Sequence, residues 1–340
     1  MLIHFIGICG VAMSALAVAF EKAGHSVTGS DAGFFPPIST MLKDRRINFY
    51  PGWHPEKMGN PDIVVISNSV SSHNPEWLAA QERGIPTFSY PELVKKYLLG
   101  NNSIVCAGTY GKTTTSALLA WILTKAHLEP NYLFGGLALG NFDSAKISPD
   151  KKAKYSVVEG DEYLTSRLDQ RPKFAHYSPT HLLLTSIIWD HADLYPTEKS
   201  YEEAFKNLVK MVPDSGLIVA SENVEKIVTL LNCQIVKYGN GKENDYSYGS
   251  VQQTKNGIKF DILHDRQTYH ISSPMLGDYQ AENITGCFAM AHTLGISTEQ
   301  ITSAIASFAG LRRRLEKRYE GDITVFDDIG HSPAKAKSVL

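Results

Sequence analysis

Short β-branched or aromatic runs alternate along this chain with longer stretches whose apolar residues recur at helical spacing. In the first hundred residues the runs Leu2–Ile6, Ser26–Gly29, Ile63–Ser67 and Pro86–Phe88 read as strands. Between them, Val11–Ala23, Ile38–Asp44 and a segment opening at Pro75 read as helices. Such alternation predicts an α/β fold with a parallel sheet and crossover helices. After the polar stretch Leu99-Gly-Asn-Asn-Ser103 a second α/β unit begins, with strands predicted at Ile104–Ala107, Tyr155–Val158 and Leu182–Ile188. From Tyr238 to His270 the chain is polar and turn-rich and alternates in "GIKFDIL", which predicts antiparallel strands added to this unit before a helix at Ala281–Leu294.

A length of 340 residues favours two or three domains over one core. With 33 basic and 35 acidic residues, nothing suggests a general nucleic-acid or anionic-membrane surface. The four cysteines are far apart and form no C-x-x-C pair, which fits buried small side chains in a reducing compartment. Phe5–Phe20 is small and apolar, but no Lys or Arg precedes it and Gly7, Gly10 and Ser14 interrupt it. A soluble cytoplasmic protein is expected.

The candidate chemistry starts at "SIVCAGTYGKTTTSALL", where a buried strand meets a helix. Gly108 and Gly111 let backbone N–H groups approach an anion closely, and a helix starting near Lys112 adds its positive N-terminal end. Lys112 is then suited to β/γ-phosphates and the Thr113 hydroxyl to Mg²⁺. The motif is the short form G-x-x-G-K-T, because Cys106 stands where a standard P-loop needs glycine. A glycine-rich helix entry without a ligand is the bland alternative; three threonines beside a lysine speak against it.

Two further strand ends carry polar clusters. "EGDEY" follows Tyr155–Val158, and "WDHADLY" follows Leu182–Ile188. Thr113 and Glu159 supply the oxygen donors a hard cation prefers, and His191 is a candidate for a second cation. At the N-terminus "HFIGICGVAMSALAVAFEKAGHSVTGSD" looks like a dinucleotide-type fingerprint ending on Asp31, although Cys9 and Ala12 replace its second and third glycines.

Taken together, "GICGVAMS", "GSD", "GTYGKTTT", "EGDEY", "DHADLY", "RRRLE" and "DDIGHSP" resemble the Mur ligases, ATP-dependent amide-forming enzymes of peptidoglycan synthesis. The resemblance implies a Rossmann-like domain over residues 1–99 for UDP-N-acetylmuramate and a P-loop-type central ATPase domain over 100–314. It also implies that 315–340 begin a third, Rossmann-like domain, of which only a first strand near Ile323–Phe326 and a helix start at Pro333–Leu340 are present. Gly7 and Gly10 would cradle the UDP diphosphate, Ser30 and Asp31 would lie by the uridine, and Asn68, Ser69 and Asn74 by the sugar. Gly108, Thr109, Gly111, Lys112, Thr113 and Thr114 would hold ATP, with Lys112, Glu159 and His191 catalytic and Thr113, Glu159 and His191 facing Mg²⁺. Asn283 would read adenine, Arg313 or Arg314 would reach the phosphates, and Asp328 and His331 would face ATP from the third domain.

"GSDAGFFPPISTML" and "FAHYSPTHLLLTSIIWDHADLY" point, within that family, to a peptide acceptor, L-alanyl-γ-D-glutamyl-meso-diaminopimelate, used in cell-wall recycling; the alternative acceptor is L-alanine. Tyr110, Ser332 and Tyr279-Gln280 depart from the usual family residues. Expected of this chain alone is nucleotide binding with poor ligation, since domain closure assembles the site. A Rossmann oxidoreductase would leave "GTYGKTTT" and "EGDEY" without work. A non-catalytic UDP-muropeptide sensor would be expected to lose the ATP-site residues, all of which are present.

Overall fold

The computed structural model describes residues 1–148, 153–167, 169–228, 231–330 and 336. The first unit runs β1 (Leu2–Ile6), α1 (Val11–Lys22), β2 (Ser26–Asp31), α2 (Ile38–Asp44), β3 (Asn48–Pro51), β4 (Ile63–Ile66), α3 (Pro75–Glu82), β5 (Thr87–Ser89) and α4 (Tyr90–Tyr97). Its five strands are all parallel, in the order β3-β2-β1-β4-β5. The chain leaves β1 in one direction and returns on its other side with β4, so the crevice between their C-terminal ends is where this topology takes a ligand. β3 was not expected: "NFYP" is short and half polar, and lies at the edge of the sheet.

The second unit contains β6 (Ser103–Ala107), α5 (Lys112–Lys125), β7 (Asn131–Leu133), β8 (Ala145–Lys146), β9 (Ser156–Gly160), β10 (His181–Leu184), α6 (Glu198–Val209), β11 (Leu217–Ser221), α7 (Glu225–Val228) and β12 (Gln234–Gly239). β13 (Tyr246–Thr254), β14 (Gly257–His264), β15 (Gln267–Ser273), α8 (Gln280–Thr293) and α9 (Thr298–Ser307) complete it. One sheet holds all ten strands, in the order β15-β14-β13-β12-β11-β10-β6-β9-β7-β8. Its centre is parallel, and β13, β14 and β15 form the antiparallel extension that the alternating pattern predicts. β6 is buried along its whole length between β9 and β10, because its β-branched run packs α5 on one face and the shared core on the other.

Two strands differ from expectation. β10 stops at Leu184 instead of Ile188, because the groups of Ser186 and Ile188 bond the glycine loop rather than a neighbouring strand. The run near Ile323 is a strand, β17 (Thr324–Asp327), but it pairs antiparallel with β16 (Glu316–Glu320) in a separate two-stranded ribbon. Of the expected helix start at Pro333–Leu340, all but Ala336 lies outside the described residues. Among the described residues no helix is long and apolar enough to cross a membrane.

Candidate nucleotide sites

Between β6 and α5 the chain makes the turn that the glycines permit. Gly108 has φ +140° and Gly111 has φ +83°. A Cβ at Gly108 would run into the Thr185 hydroxyl and come within 2.8 Å of the Ser186 backbone; one at Gly111 would run into the Asn283 amide. The loop is locked to the segment after β10. Thr109 donates its N–H to the Ser186 carbonyl (2.7 Å), and its hydroxyl donates to the Ile188 carbonyl and accepts from the Ile188 N–H (2.8 Å each). The first backbone bond of α5 runs from Thr115 to the Gly111 carbonyl, so the N–H groups of the preceding turn lie at a helix N-terminus, an electropositive end suited to phosphate.

Charged side chains close over this loop. Lys112 Nζ donates to the carbonyls of Gly108 (2.7 Å) and Thr109 (3.2 Å) and to Glu162 (2.9 Å). Glu162 is 1% exposed, and its carboxylate also lies 3.5 Å from His191 Nε2 and accepts from the Tyr201 hydroxyl at 3.4 Å. Burial works against the charge on Lys112, but the carboxylates of Glu162, Asp161 and Glu159 outweigh it, and the pKa moves upward. Glu159 accepts from the Thr113 hydroxyl (3.0 Å) and the Gly135 N–H (2.7 Å). Its burial raises its pKa despite these bonds and Lys112. Asp161 instead pairs with Lys173 at 2.6 Å.

Of the expected ATP-site residues, Lys112, Thr113 and Glu159 therefore meet where β6 and β9 end, and His191, after β10, reaches Lys112 through Glu162. Arg314, not Arg313, faces the loop: Arg314 Nη2 lies 3.5 Å from the Thr113 hydroxyl, whereas exposed Arg313 turns to Asp327 at 3.6 Å. Asn283 is buried on α8 and donates to the Gln280 side chain at 3.0 Å. A cavity of about 270 Å³ opens beside Thr114, Met275, Gln280, Leu311 and Arg314. Asp328 accepts the N–H groups of Leu315 (2.8 Å) and Gly330 (2.6 Å), while His331 lies outside the described residues.

The donors fit a hard cation in part. The Thr113 hydroxyl and the Glu159 carboxylate are adjacent oxygens of the kind Mg²⁺ takes alongside phosphate and water. His191 stands apart from them, paired with Glu162, and among the described residues no group of three or more His, Cys, Asp and Glu is arranged to hold a metal by itself. Glu162 was missed as a site residue, although the acidic run ending an apolar strand was its signal. Gly135 and Gly136, which pass beside Glu159 and Thr113, carried no signal of their own.

At the first sheet, Gly7 lies with φ +86° at the end of β1, packed against Ser67 just after β4. The N–H groups of Gly7 and Ile8 donate to the Ser30 carbonyl at 2.8 and 3.1 Å. Gly10 caps α1. Asp31 accepts from the N–H groups of Cys9 and Ala32, both at 2.7 Å, so its carboxylate shapes the loop. Asn74 caps α3, accepting from Glu76 and Trp77, and exposed Ser69 and half-buried Asn68 follow β4.

One parallel and one mainly parallel sheet, each with a glycine turn leading into a helix, and a lysine, threonine and carboxylate gathered on the second turn define a nucleotide-dependent enzyme. The chain belongs to the Mur ligase family, whose members are ATP-dependent amide ligases: residues 106–291 match the Mur ligase middle domain and residues 2–100 the Mur ligase family catalytic domain. It is 33% identical to the UDP-N-acetylmuramate–L-alanyl-γ-D-glutamyl-meso-2,6-diaminoheptandioate ligase of Haemophilus influenzae, over 99% of this chain and 75% of that protein. It is 32% identical to the UDP-N-acetylmuramate–L-alanine ligase of Dictyoglomus turgidum, over 99% of this chain and 72% of that one. The crystal structure of the UDP-N-acetylmuramate:L-alanyl-γ-D-glutamyl-meso-diaminopimelate ligase from Neisseria meningitides superposes with a TM-score of 0.80 at 30% identity, covering 92% of this chain and 99% of that chain.

Proposed function

We propose that this chain carries the two nucleotide sites of a cytoplasmic ligase that joins UDP-N-acetylmuramate to the tripeptide L-alanyl-γ-D-glutamyl-meso-diaminopimelate, using ATP and Mg²⁺. The observation that supports the ATP half is the meeting of Lys112, Thr113, Glu159 and Arg314 at one glycine loop. The tripeptide rests on the likeness to the ligase of Haemophilus influenzae, and the likeness to an L-alanine ligase keeps L-alanine as the competing acceptor. In this reading residues 1–99 bind the UDP-sugar, 100–314 bind ATP, and 315–340 start the acceptor-binding domain.

In the reaction, the lactyl carboxylate of UDP-N-acetylmuramate attacks the γ-phosphorus of ATP, the bond to ADP breaks and an acyl phosphate forms. The α-amine of the acceptor then attacks the acyl carbon, loses its proton, and phosphate leaves. Lys112 exchanges its bond to Glu162 for the transferring phosphoryl group, where its charge acts mainly by positioning and electrostatics. The loop N–H groups from Gly108 to Thr114 cradle the phosphates, Arg314 adds a second positive charge, Asn283 holds the adenine, and Asp328 faces ATP. Thr113 and Glu159 would hold Mg²⁺, with His191 toward a second ion; the bound cation supplies neutralisation of phosphate charge. Gly7 and Gly10 take the diphosphate, Ser30 and Asp31 the uridine, and Asn68, Ser69 and Asn74 the sugar.

The test follows ADP release by the whole gene product that contains this chain, with UDP-N-acetylmuramate and either acceptor. Release with the tripeptide and not with L-alanine supports the proposal. The reverse moves the chain to the alanine ligases, and no release with either acceptor favours a UDP-muropeptide sensor.

A further inference from the structure

Glu76 has no part in the reading above, yet its carboxylate is the most heavily bonded group of the first unit. It sits at the start of α3, fully buried. Four donors from three other stretches of chain converge on it. The Tyr50 hydroxyl (2.7 Å) and the His54 N–H (2.8 Å) reach one oxygen; the Ser30 hydroxyl and His4 Nε2 (3.4 Å) reach the other. No lysine or arginine pairs with it among the described residues. Burial raises the carboxyl pKa, but these hydrogen bonds outweigh burial and bring it down to about 2.

A buried charge held by hydrogen bonds alone is a poor way to gain stability, since an apolar side chain of the same volume would fill the space at less expense. It is a good way to fix positions, because every donor must be in place at once. The donors come from β1, from the C-terminal end of β2, and from β3 and the turn after it. Ser30 is the key member: its carbonyl holds the Gly7–Ile8 turn, and its hydroxyl is bound by Glu76. His4 extends the network to Thr28 on β2 at 2.8 Å.

We propose that Glu76 is a positioning residue for the first nucleotide site: it holds Ser30 and the Tyr50–His54 turn in the arrangement that receives the uridine diphosphate, without touching the ligand. This rests on the assignment of the first sheet to the UDP-sugar. Calorimetric titration of the whole gene product with UDP-N-acetylmuramate, and separately with ATP, tests it in Glu76→Gln and Tyr50→Phe.

Glu76→Gln places an amide N–H₂ among four donors and should weaken UDP-N-acetylmuramate binding at least tenfold while leaving ATP binding within twofold. Tyr50→Phe removes one donor at the edge of the network and should weaken the same ligand a few-fold with the melting temperature held within about a degree. The double variant should bind no more weakly than Glu76→Gln alone, as members of one network are not additive. Unchanged UDP-sugar affinity in a folded Glu76→Gln overturns the proposal. If that variant loses both ligands through unfolding, Tyr50→Phe decides, and unchanged affinity there overturns it equally. Failure of the unaltered protein to bind UDP-N-acetylmuramate is a different result: it removes the assignment of the sheet itself.

Discussion

Lys112 and Glu162 cannot be removed singly on equal terms. With Lys112→Met, the Glu162 carboxylate is left buried with, among the described residues, a tyrosine hydroxyl and a histidine as its remaining side-chain partners. Stranding a buried charge in this way costs about 3 kcal/mol or more, so Lys112→Met should melt well below the parent and Lys112→Met/Glu162→Gln should recover much of the difference in thermal denaturation. A neutral single variant would mean the pair is not coupled. In the ligation assay Lys112→Met should also be slower by at least roughly ten- to 150-fold, the loss of one charged hydrogen bond. At Glu76 the sign runs with pH: the folded pKa of about 2 lies below the ordinary 4.5, so its stabilisation is complete above pH 4.5 and is lost as pH falls toward 2. On the order of 3 kcal/mol disappears across that window, and acid titration of Glu76→Gln should be flatter there. Neither acid was legible as a hub in the sequence. Glu76 reaches partners 46 and 72 residues away, and no local pattern announces such a meeting.

The glycine loop is the element where local sequence and tertiary structure agree most closely. Strand, turn and helix follow from the β-branched run, the two glycines and the apolar spacing of α5. What the sequence could not supply is the loop's second half, the Thr185–Ile188 segment that reads as more strand but spends its hydrogen bonds on Thr109 and Tyr110. The same limit applies to β16–β17: an apolar run announces a strand, but not whether its neighbour is parallel or antiparallel. Because the Gly108 Cβ position is filled by Thr185 and its φ is +140°, Gly108→Ala must displace one wall of the loop. Its stability should fall by more than about 1 kcal/mol, and ATP binding should fall at least tenfold with UDP-N-acetylmuramate binding retained, as read by titration with each nucleotide. Equal loss of both ligands would show that the loop supports the whole chain and not its own site alone.

Each sheet has a buried cluster of its own, and the two also share a third. One buried cluster runs from Ile3, Leu16 and Phe20 through Leu98 into Val105, Val158, Leu182 and Phe205. The junction is pinned as well as packed. Asn131, nearly fully buried, donates its side chain to the Leu98 carbonyl (3.0 Å) and accepts from the Ser148 N–H (2.8 Å), while Gly100 donates to Ser156 (3.1 Å). Charge crosses the same boundary where Asp143 meets Lys22 and lies 3.7 Å from Arg45. A junction of this kind transmits stability, so a ligand on one sheet should protect both. At a hundred times its dissociation constant, UDP-N-acetylmuramate should add about 2.7 kcal/mol, and calorimetry should show one endotherm moving as a unit, with the ATP-site sheet carried along. Asn131→Ala leaves a buried carbonyl and a half-buried N–H without this partner and should lower stability by about 2 kcal/mol in that same single transition. Two resolved endotherms in the unaltered chain, only one of them responding to the UDP-sugar, would mean that the shared core joins the sheets in space but not in energy.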